Sequence, residues 1–157
     1  MTEKFILRKA EKQDYPDIHA LLYALHRLHV QARPDIYRQA DPLPETEYQQ
    51  LLQDENTLLL AAFDGERAVG VCQLCYRLPK SPLLQPVPCA FIEALAVSED
   101  VQRQGVGKQL FLQARALARE RGAARLSLNV WSFNEKALSF YRKMGLRDQR
   151  FFMEEAL

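Results

Sequence analysis

One stretch of the chain, residues 89–121, limits its possible folds more than any other. It begins with CAFIEALAV (89–97), an apolar run typical of a buried strand. A short turn carrying Gly105 and Gly107 follows, and then apolar residues recur at helical spacing over 106–121. A buried strand that turns at glycines into a long helix indicates a mixed α/β sheet.

The other segments extend this pattern to the element order β-α-α-β-β-β-α-β-α-β, a single domain over residues 1–157 without internal repeats. Two loops rich in proline are expected at 31–44 and 79–88. The remaining predicted elements are a strand at 4–8, a helix from Asp14 to about 29, a helix at 45–53, strands at 57–63 and 68–78 joined by a turn at Asp64-Gly65, a strand at 124–130, a helix at 134–144 and a terminal strand in RFFMEEAL (150–157).

Composition narrows the possible partners. The chain is 48% hydrophobic and 26% charged, with a formal net charge of +1, which argues against a nucleic acid or a membrane surface as the main partner. No apolar run is long enough for a membrane span, and the first residues lack the apolar core of a signal peptide. We therefore expect a cytoplasmic protein.

The three cysteines are expected to be reduced thiols. Cys72 and Cys75 form a C-x-x-C pattern, but they lie within a predicted strand. Residues three apart on a strand point to opposite faces, which is unsuitable for a shared metal or a redox pair. Small apolar thiols within a sheet are the preferred interpretation.

The glycine turn at 102–107 has the chemistry of an anion site. The first turn of a helix has unpaired N–H groups and the positive end of the helix dipole, and glycine lets a ligand approach the backbone closely. Such a site suits phosphates. A glycine pair at the start of a helix also occurs in plain turns that bind no ligand. The segment is neither a P-loop, since no Lys-Ser/Thr follows the second glycine, nor a dinucleotide fingerprint, since that pattern fails at Leu110.

A second motif, NEKALSFYRKMGL, occupies 134–146 after another predicted strand. Together with QRQGVG at 102–107, it resembles the GNAT family of N-acetyltransferases. The resemblance covers 89–146 closely and implies a mostly antiparallel sheet, flanked by about four helices and splayed after its fourth strand. It also implies acetyl-CoA as co-substrate and direct transfer of the acetyl group to a primary amine in a ternary complex, and a homodimer is an expectation at the level of the family.

The resemblance further implies roles for individual residues. The backbone of Leu95, Ala96 and Val97 would pair with the pantetheine amides, and an N–H in this segment could stabilise the oxyanion. Asn134 and Ala137 would lie along the pantetheine, and Tyr141 would protonate the leaving thiolate. The expected pyrophosphate site consists of Gln102, Arg103, Gln104, Gly105, Val106, Gly107 and Lys108.

Glu93 is the candidate general base. It lies in the middle of a strand between apolar neighbours, where burial of an unpaired carboxylate is costly and raises its pKa. A structural ion pair is an equally good explanation. The segment IEALAV is similar to the matching strand of spermidine/spermine acetyltransferases, in which this glutamate relays a proton through water. Ala94 replaces their acidic residue, which argues against a polyamine acceptor.

The first helix is expected to line the acceptor pocket. In the resembled family such a helix and the following loop form one wall, which suggests His26 and Tyr37 as substrate contacts. Either His26 or a neighbouring histidine could also move a proton, although hydrogen-bonded or solvated histidines are an equally good interpretation. No metal site is expected, because the three histidines have no evident further ligand.

Three functions remain open from the sequence. A small-molecule amine is the preferred acceptor. A protein N-terminus or a lysine is the alternative, because residues 103–146 also resemble the alanine acetyltransferases of ribosomal proteins. A non-catalytic module that only binds acyl-CoA is the third.

Overall fold

The computed structural model, which describes residues 4–157, contains one five-stranded sheet in the order β1-β2-β3-β4-β5. Neighbouring strands run antiparallel from β1 to β4, whereas β4 and β5 run parallel. The predicted mixed, mostly antiparallel sheet is confirmed. The strands are Ile6–Lys9 (β1), Thr57–Asp64 (β2), Arg67–Arg77 (β3), Cys89–Val97 (β4) and Arg125–Leu128 (β5).

Four α-helices flank the sheet in the described part of the chain. The helix predicted from Asp14 continues to Ala32, but Leu28, which was expected on its apolar stripe, is 59% exposed. A short 3-10 turn, Glu99–Val101, connects the fourth strand to the third helix. The helices are Tyr15–Ala32 (α1), Glu45–Gln53 (α2), Val106–Glu120 (α3) and Glu135–Lys143 (α4).

Strand β2 is buried on both faces, as its continuous apolar sequence predicted. Leu60 and Ala62 belong to the core beneath α3, whereas Leu59 and Ala61 belong to the core beneath α1 and α2. Successive side chains on a strand point to opposite faces, so one strand contributes to both cores. The β2–β3 hairpin turns at Gly65, whose φ of +62° suits glycine.

The predicted terminal strand is wrong. Within residues 4–157 no strand follows α4, and residues 150–157 are exposed and have no regular secondary structure. The segment RFFMEEAL has residues that favour strands, but a strand also needs a partner for its backbone. The described chain provides none for this segment, so the apolar sequence alone misled the prediction.

One buried carboxylate links the start of the chain to α1. The Asp14 carboxylate accepts two bonds from the Arg8 guanidinium, at 2.7 and 3.0 Å, and one from the N–H of Glu11 at 2.8 Å. Burial by itself raises the pKa of Asp14, but the bonds from Arg8 and Glu11 outweigh it and lower the pKa below its usual value. The ionised form is therefore the one that the fold stabilises.

Replacing Asp14 with asparagine should lower the free energy of unfolding by about 2 kcal/mol at neutral pH. The folded pKa is depressed, so the wild-type advantage is present above the unfolded pKa of about 4 and disappears as the pH falls through the folded value. Urea denaturation of both proteins between about pH 7 and about pH 3 measures this. Asp35→Asn, which removes an exposed carboxylate paired with Arg33, should lower the stability far less, and equal losses would contradict the prediction.

Candidate active site

A gap opens in the sheet between its two parallel strands. The pairing of β4 with β5 ends at Ile92 and Leu128, but β4 continues for five more residues to Val97. Over that stretch, no strand in residues 4–157 pairs with the β5-facing side of β4. The predicted splay after the fourth strand is therefore confirmed. The backbone of Leu95, Ala96 and Val97 borders the gap, where an extended ligand can hydrogen-bond as an added strand does.

A β-bulge marks the point where the strands part. Gln73 on β3 pairs with Ala94 and its neighbour Leu74 pairs with Ile92, so Glu93 is an extra residue. A bulge reverses the alternation of side chains. Beyond it, Leu95 and Val97 pack against the core beneath α3, while Ala94 and Ala96 pack against the core beneath α1.

The bulge corrects the expectation for Glu93. Its side chain is exposed rather than buried, and its carboxylate is paired with the guanidinium of Arg77 on β3. Arg77 in turn stacks on the ring of Phe91, with its Cζ 4.3 Å from the ring centroid. The expected burial of the Glu93 carboxylate is therefore not found. Arg77 was not identified as a partner of Glu93 from the sequence, although it lies near the end of the strand predicted at 68–78.

The turn before α3 adopts the conformation that an anion site needs. Gly105 is left-handed at φ +86°, and Arg103 also has a positive φ of +64°. Within residues 4–157, the N–H groups of Arg103, Gly105, Val106, Gly107 and Lys108 donate no hydrogen bond. The first turn of α3 also contains no acidic residue, so the unpaired donors and the helix dipole act on the same space.

Gly107 is where the turn, β4 and α4 converge. A Cβ built on Gly107 would lie 3.6 Å from Val97, 3.7 Å from Phe140 and 3.8 Å from Leu95. The turn at 102–108 is therefore continuous with the open edge of β4. Gln102 and Lys108 are exposed, and the amide oxygen of Gln104 accepts a bond from Lys4 at 2.6 Å.

Asn134 caps the helix that forms the other wall of the gap. Its side-chain oxygen accepts the N–H of Ala137 at 3.1 Å, a standard N-cap bond. Helix capping alone can therefore explain why an asparagine occupies position 134, without the predicted contact with a ligand. Its amide nitrogen is not used by the cap, so Asn134 can serve both purposes.

Tyr141 lies on α4 with its ring in the core beneath α3. It packs against Phe140 and Phe111, with ring centroids 5.1 and 6.1 Å away. Burial raises the pKa of the Tyr141 phenol, and the nearby Cys72 thiol raises it further. The hydroxyl makes no hydrogen bond with residues 4–157 and is not among their fully buried atoms, so a protonated hydroxyl faces open space.

Aromatic side chains connect α1 to the segment after β5. Tyr37 stacks on His29 at 5.1 Å and meets His26 edge-on at 6.1 Å, and its hydroxyl accepts the indole N–H of Trp131 at 2.9 Å. His26 also contacts the carbonyl of Arg38 at 2.8 Å. Burial lowers the pKa of His29, and His26 lowers it further. His26 and Tyr37 thus lie in contact, and Trp131, the only tryptophan in the sequence, joins them although the sequence analysis did not single it out.

Two further features are absent from the described residues. They contain no group of three or more histidine, cysteine or acidic side chains that could hold a metal ion. No helix formed by residues 4–157 has the length and apolarity needed to cross a membrane.

Fold and site together define a class of protein. It has a mixed sheet that parts between two parallel strands, with the N-terminus of a helix at the mouth of the gap. The model of the GNAT acetyltransferase family matches residues 22–146. The chain belongs to the GNAT acetyltransferase family.

Individual relatives agree with this assignment. Streptothricin acetyltransferase from Streptomyces lavendulae is 33% identical over 92 residues, which cover 59% of this chain and 44% of that protein. The tetramutant of the BH1408 protein from Bacillus halodurans superposes with a TM-score of 0.91 at 28% identity, over 97% of this chain and 99% of that one. An aminoglycoside acetyltransferase from an uncultured soil metagenomic sample shares the fold, with a TM-score of 0.73 and 23% identity over 98% and 97% of the two chains.

The match to the curated relatives is partial. The chain covers 32% to 52% of the length of three of them, which include two N-acetyltransferases from Lactobacillus delbrueckii subsp. lactis and Bacillus subtilis.

Proposed function

We propose that this protein is an acetyl-CoA-dependent N-acetyltransferase that transfers an acetyl group directly to a primary amine of a small molecule in a ternary complex. One observation carries the proposal: the open edge of β4 leads without interruption into the unpaired N–H groups at the start of α3. An amide-bearing chain that ends in a pyrophosphate matches this combination of an open strand edge and an anion site.

The residues present fit acetyl-CoA. Leu95, Ala96 and Val97 offer unpaired backbone groups to the pantetheine amides, and residues 102–108 offer N–H donors and two cationic side chains, Arg103 and Lys108, to the phosphates. Asn134 and Ala137 border the gap from α4. When bound, acetyl-CoA supplies a thioester that a neutral amine can attack.

Tyr141 holds the proton that the leaving sulfur needs. As the C–N bond forms and the C–S bond breaks, the phenol donates its proton to a thiolate whose conjugate thiol has a pKa of about 8.5. The raised pKa of Tyr141 keeps the phenol protonated. A backbone N–H of the open β4 stretch is the candidate donor to the carbonyl oxygen, which becomes negative during the attack.

Glu93 is the proposed acceptor of the proton that the amine loses. An alkylamine has a pKa of about 10.4, so it must lose a proton before or during attack. The bulge directs Glu93 toward solvent at the point where the gap begins. Its carboxylate is paired with Arg77 and would accept the proton directly or through water.

Glu93→Gln should lower kcat about tenfold at neutral pH and flatten the rise of kcat with pH, because the amide cannot accept a proton. The measurement is thiol release at saturating acetyl-CoA across the pH range. Glu66→Gln, an exposed glutamate at the β2–β3 turn, is the matched control and should behave as wild type. An unchanged pH profile for Glu93→Gln would assign the base elsewhere, with His26 the next candidate.

The aromatic wall supports a small amine as the acceptor. His26, His29, Tyr37 and Trp131 form a layer of rings between α1 and the segment after β5, which suits a compact polar molecule with apolar faces. Relatives named for streptothricin and for aminoglycosides act on small molecules according to those names.

The three cysteines are free thiols, which supports the cytoplasm as the proposed location.

Two measurements on the purified protein test the proposal. Calorimetric titration with CoA tests binding, and thiol release from acetyl-CoA tests transfer to a panel of amino sugars, amino acids, alkylamines and peptides. We expect CoA binding and release with at least one small amine. Release with peptides alone would favour a protein acceptor, binding without any release would favour a non-catalytic module, and absence of binding would refute the proposal.

A further inference from the structure

The ion pair of Arg77 with Glu93 lies at the uncovered end of one face of the sheet. Alternate residues of a strand share a face, and Val71 places residues 71, 73, 75 and 77 of β3 on the face that packs against α1. Along this series the side chains change from buried to half-buried and then to exposed. The sheet surface therefore opens to solvent beyond α1, and the side chains of Arg77 and Glu93 are 53% and 35% exposed there.

Arg77 presents a guanidinium that is supported on one side and has unused donors. Its Cζ lies 4.3 Å from the ring centroid of Phe91, and stacking on an aromatic face leaves the N–H groups at the guanidinium edge available. One nitrogen, Nη2, donates to Oε1 of Glu93. Among residues 4–157, no other acceptor forms a hydrogen bond with Arg77. The planar group can therefore bind a second anion or exchange the present one.

Glu93 places this ion pair beside the gap in the sheet. It is the extra residue of the bulge in β4, and the pairing of β4 with β5 ends one residue earlier at Ile92. In the proposed function, the thioester occupies this gap and Glu93 accepts the proton of the attacking amine. An amine that reaches Glu93 is therefore next to the guanidinium of Arg77. A positive charge at that point attracts an anionic group on the acceptor and repels a second ammonium group.

We propose that the acceptor carries a carboxylate close to its amine, as amino acids do, and that Arg77 binds this carboxylate. The inference rests on the proposed acetyl transfer and names its substrate class. Without an acceptor, Oε1 of Glu93 occupies the guanidinium. The carboxylate of the incoming amine takes that position, and the released Glu93 accepts the amine proton as the C–N bond forms. The C–S bond breaks in the same transfer, and the sulfur takes the proton of Tyr141.

The charges on β3 and β4 favour this class of acceptor over polyamines. Glu93 is the only acidic residue in the two strands, so a second ammonium group would find no carboxylate on this surface. Ala94, the next residue, adds neither charge nor bulk beside Glu93. The guanidinium of Arg77, in contrast, already accommodates a carboxylate. The carboxylate of an amino acid therefore needs no new site.

Matched pairs of acceptors test the proposal. Thiol release from acetyl-CoA is measured with amino acids and with the amide of each, which keeps the amine and the side chain but removes the negative charge. We expect the kcat/KM of the best amino acid to exceed that of its amide by at least about thirtyfold, because the amide loses the charge-assisted bonds to Arg77. The reactivity of the amine works in the opposite direction, since an amine beside a carboxylate holds its proton more tightly.

Arg77→Gln separates recognition of the acceptor from folding. Its kcat/KM for the best amino acid should fall about thirtyfold, whereas its kcat/KM for the amide should rise, because Glu93 is no longer bonded to Arg77. Arg125→Gln, which replaces an exposed arginine at the start of β5, is the matched control and should keep the wild-type preference. An exposed ion pair adds little stability, so the melting temperature and the CoA affinity of Arg77→Gln should equal those of the wild type.

The possible outcomes separate this inference from the proposed function. Amides that react as well as their amino acids, or equal losses with both substrates in Arg77→Gln, would overturn the role of Arg77 and leave acetyl transfer to amines in place. Thiol release with other amines but with no amino acid would do the same. Absence of release with every amine would overturn both.

Discussion

Replacing Tyr141 with phenylalanine should lower kcat about a hundredfold, while the KM for acetyl-CoA should change by less than about twofold. The ring packs against Phe111 and Phe140, and phenylalanine preserves that packing. Only the hydroxyl is removed, and it makes no hydrogen bond within residues 4–157. The loss therefore reports on the reaction rather than on the fold. Initial rates of thiol release with a saturating amine measure it.

The pH profile and a second tyrosine provide controls for Tyr141. Because burial raises its pKa above the ordinary value of about 10, wild-type activity should show no decline below that pH from ionisation of this phenol. Tyr76→Phe removes another partly buried hydroxyl against the same core and should leave kcat unchanged. If Tyr141→Phe retains wild-type kcat, the sulfur takes its proton from another donor.

Lys108→Glu should weaken CoA binding about thirtyfold, equivalent to about 2 kcal/mol, without lowering the melting temperature. Lys108 is an exposed residue in the first turn of α3. A glutamate there repels a pyrophosphate but interacts favourably with the positive end of the helix dipole. Affinity and stability are thus expected to change independently. Calorimetric titration with CoA and thermal unfolding without ligand measure the two quantities.

Lys12→Glu is the control for the charge change. Lys12 is exposed in the short 3-10 turn before α1, and the substitution alters the net charge of the protein by the same amount. It should leave CoA affinity within about twofold, because Lys12 is not part of the turn before α3 and solvent screens exposed charges. Equal weakening by both substitutions would indicate a general effect of charge rather than an anion site at α3. A lower melting temperature for Lys108→Glu would also contradict the prediction.

The sequence was most informative where a local pattern has one physical solution. The apolar run of β2 had to be buried on both faces, and Gly105 before a helix predicted a left-handed turn. Both signals depend only on neighbouring residues. The same holds for the helix predicted over 134–144, which the structure has at Glu135–Lys143 with Asn134 as its N-cap.

Features that depend on distant pairing were not predictable. The bulge at Glu93 exists because β3 and β4 change register there, and nothing within IEALAV records that change. Glu93 was therefore expected to be buried like its neighbours. The partnership of Trp131 with Tyr37 likewise joins residues that are far apart in the sequence, and the lone tryptophan after β5 was its only signal.

Because β4 and β5 separate after Ile92 and Leu128, the last residues of β4 have an unpaired edge inside the sheet rather than at its border. An ordinary edge strand invites any extended chain and is a risk for aggregation. Here β5 lies on one side of the open stretch and Phe140 of α4 lies near it on the other, so the edge is inside the fold rather than at its border. In the proposed binding mode the donor is held by backbone atoms of this stretch, and every residue type except proline provides those atoms.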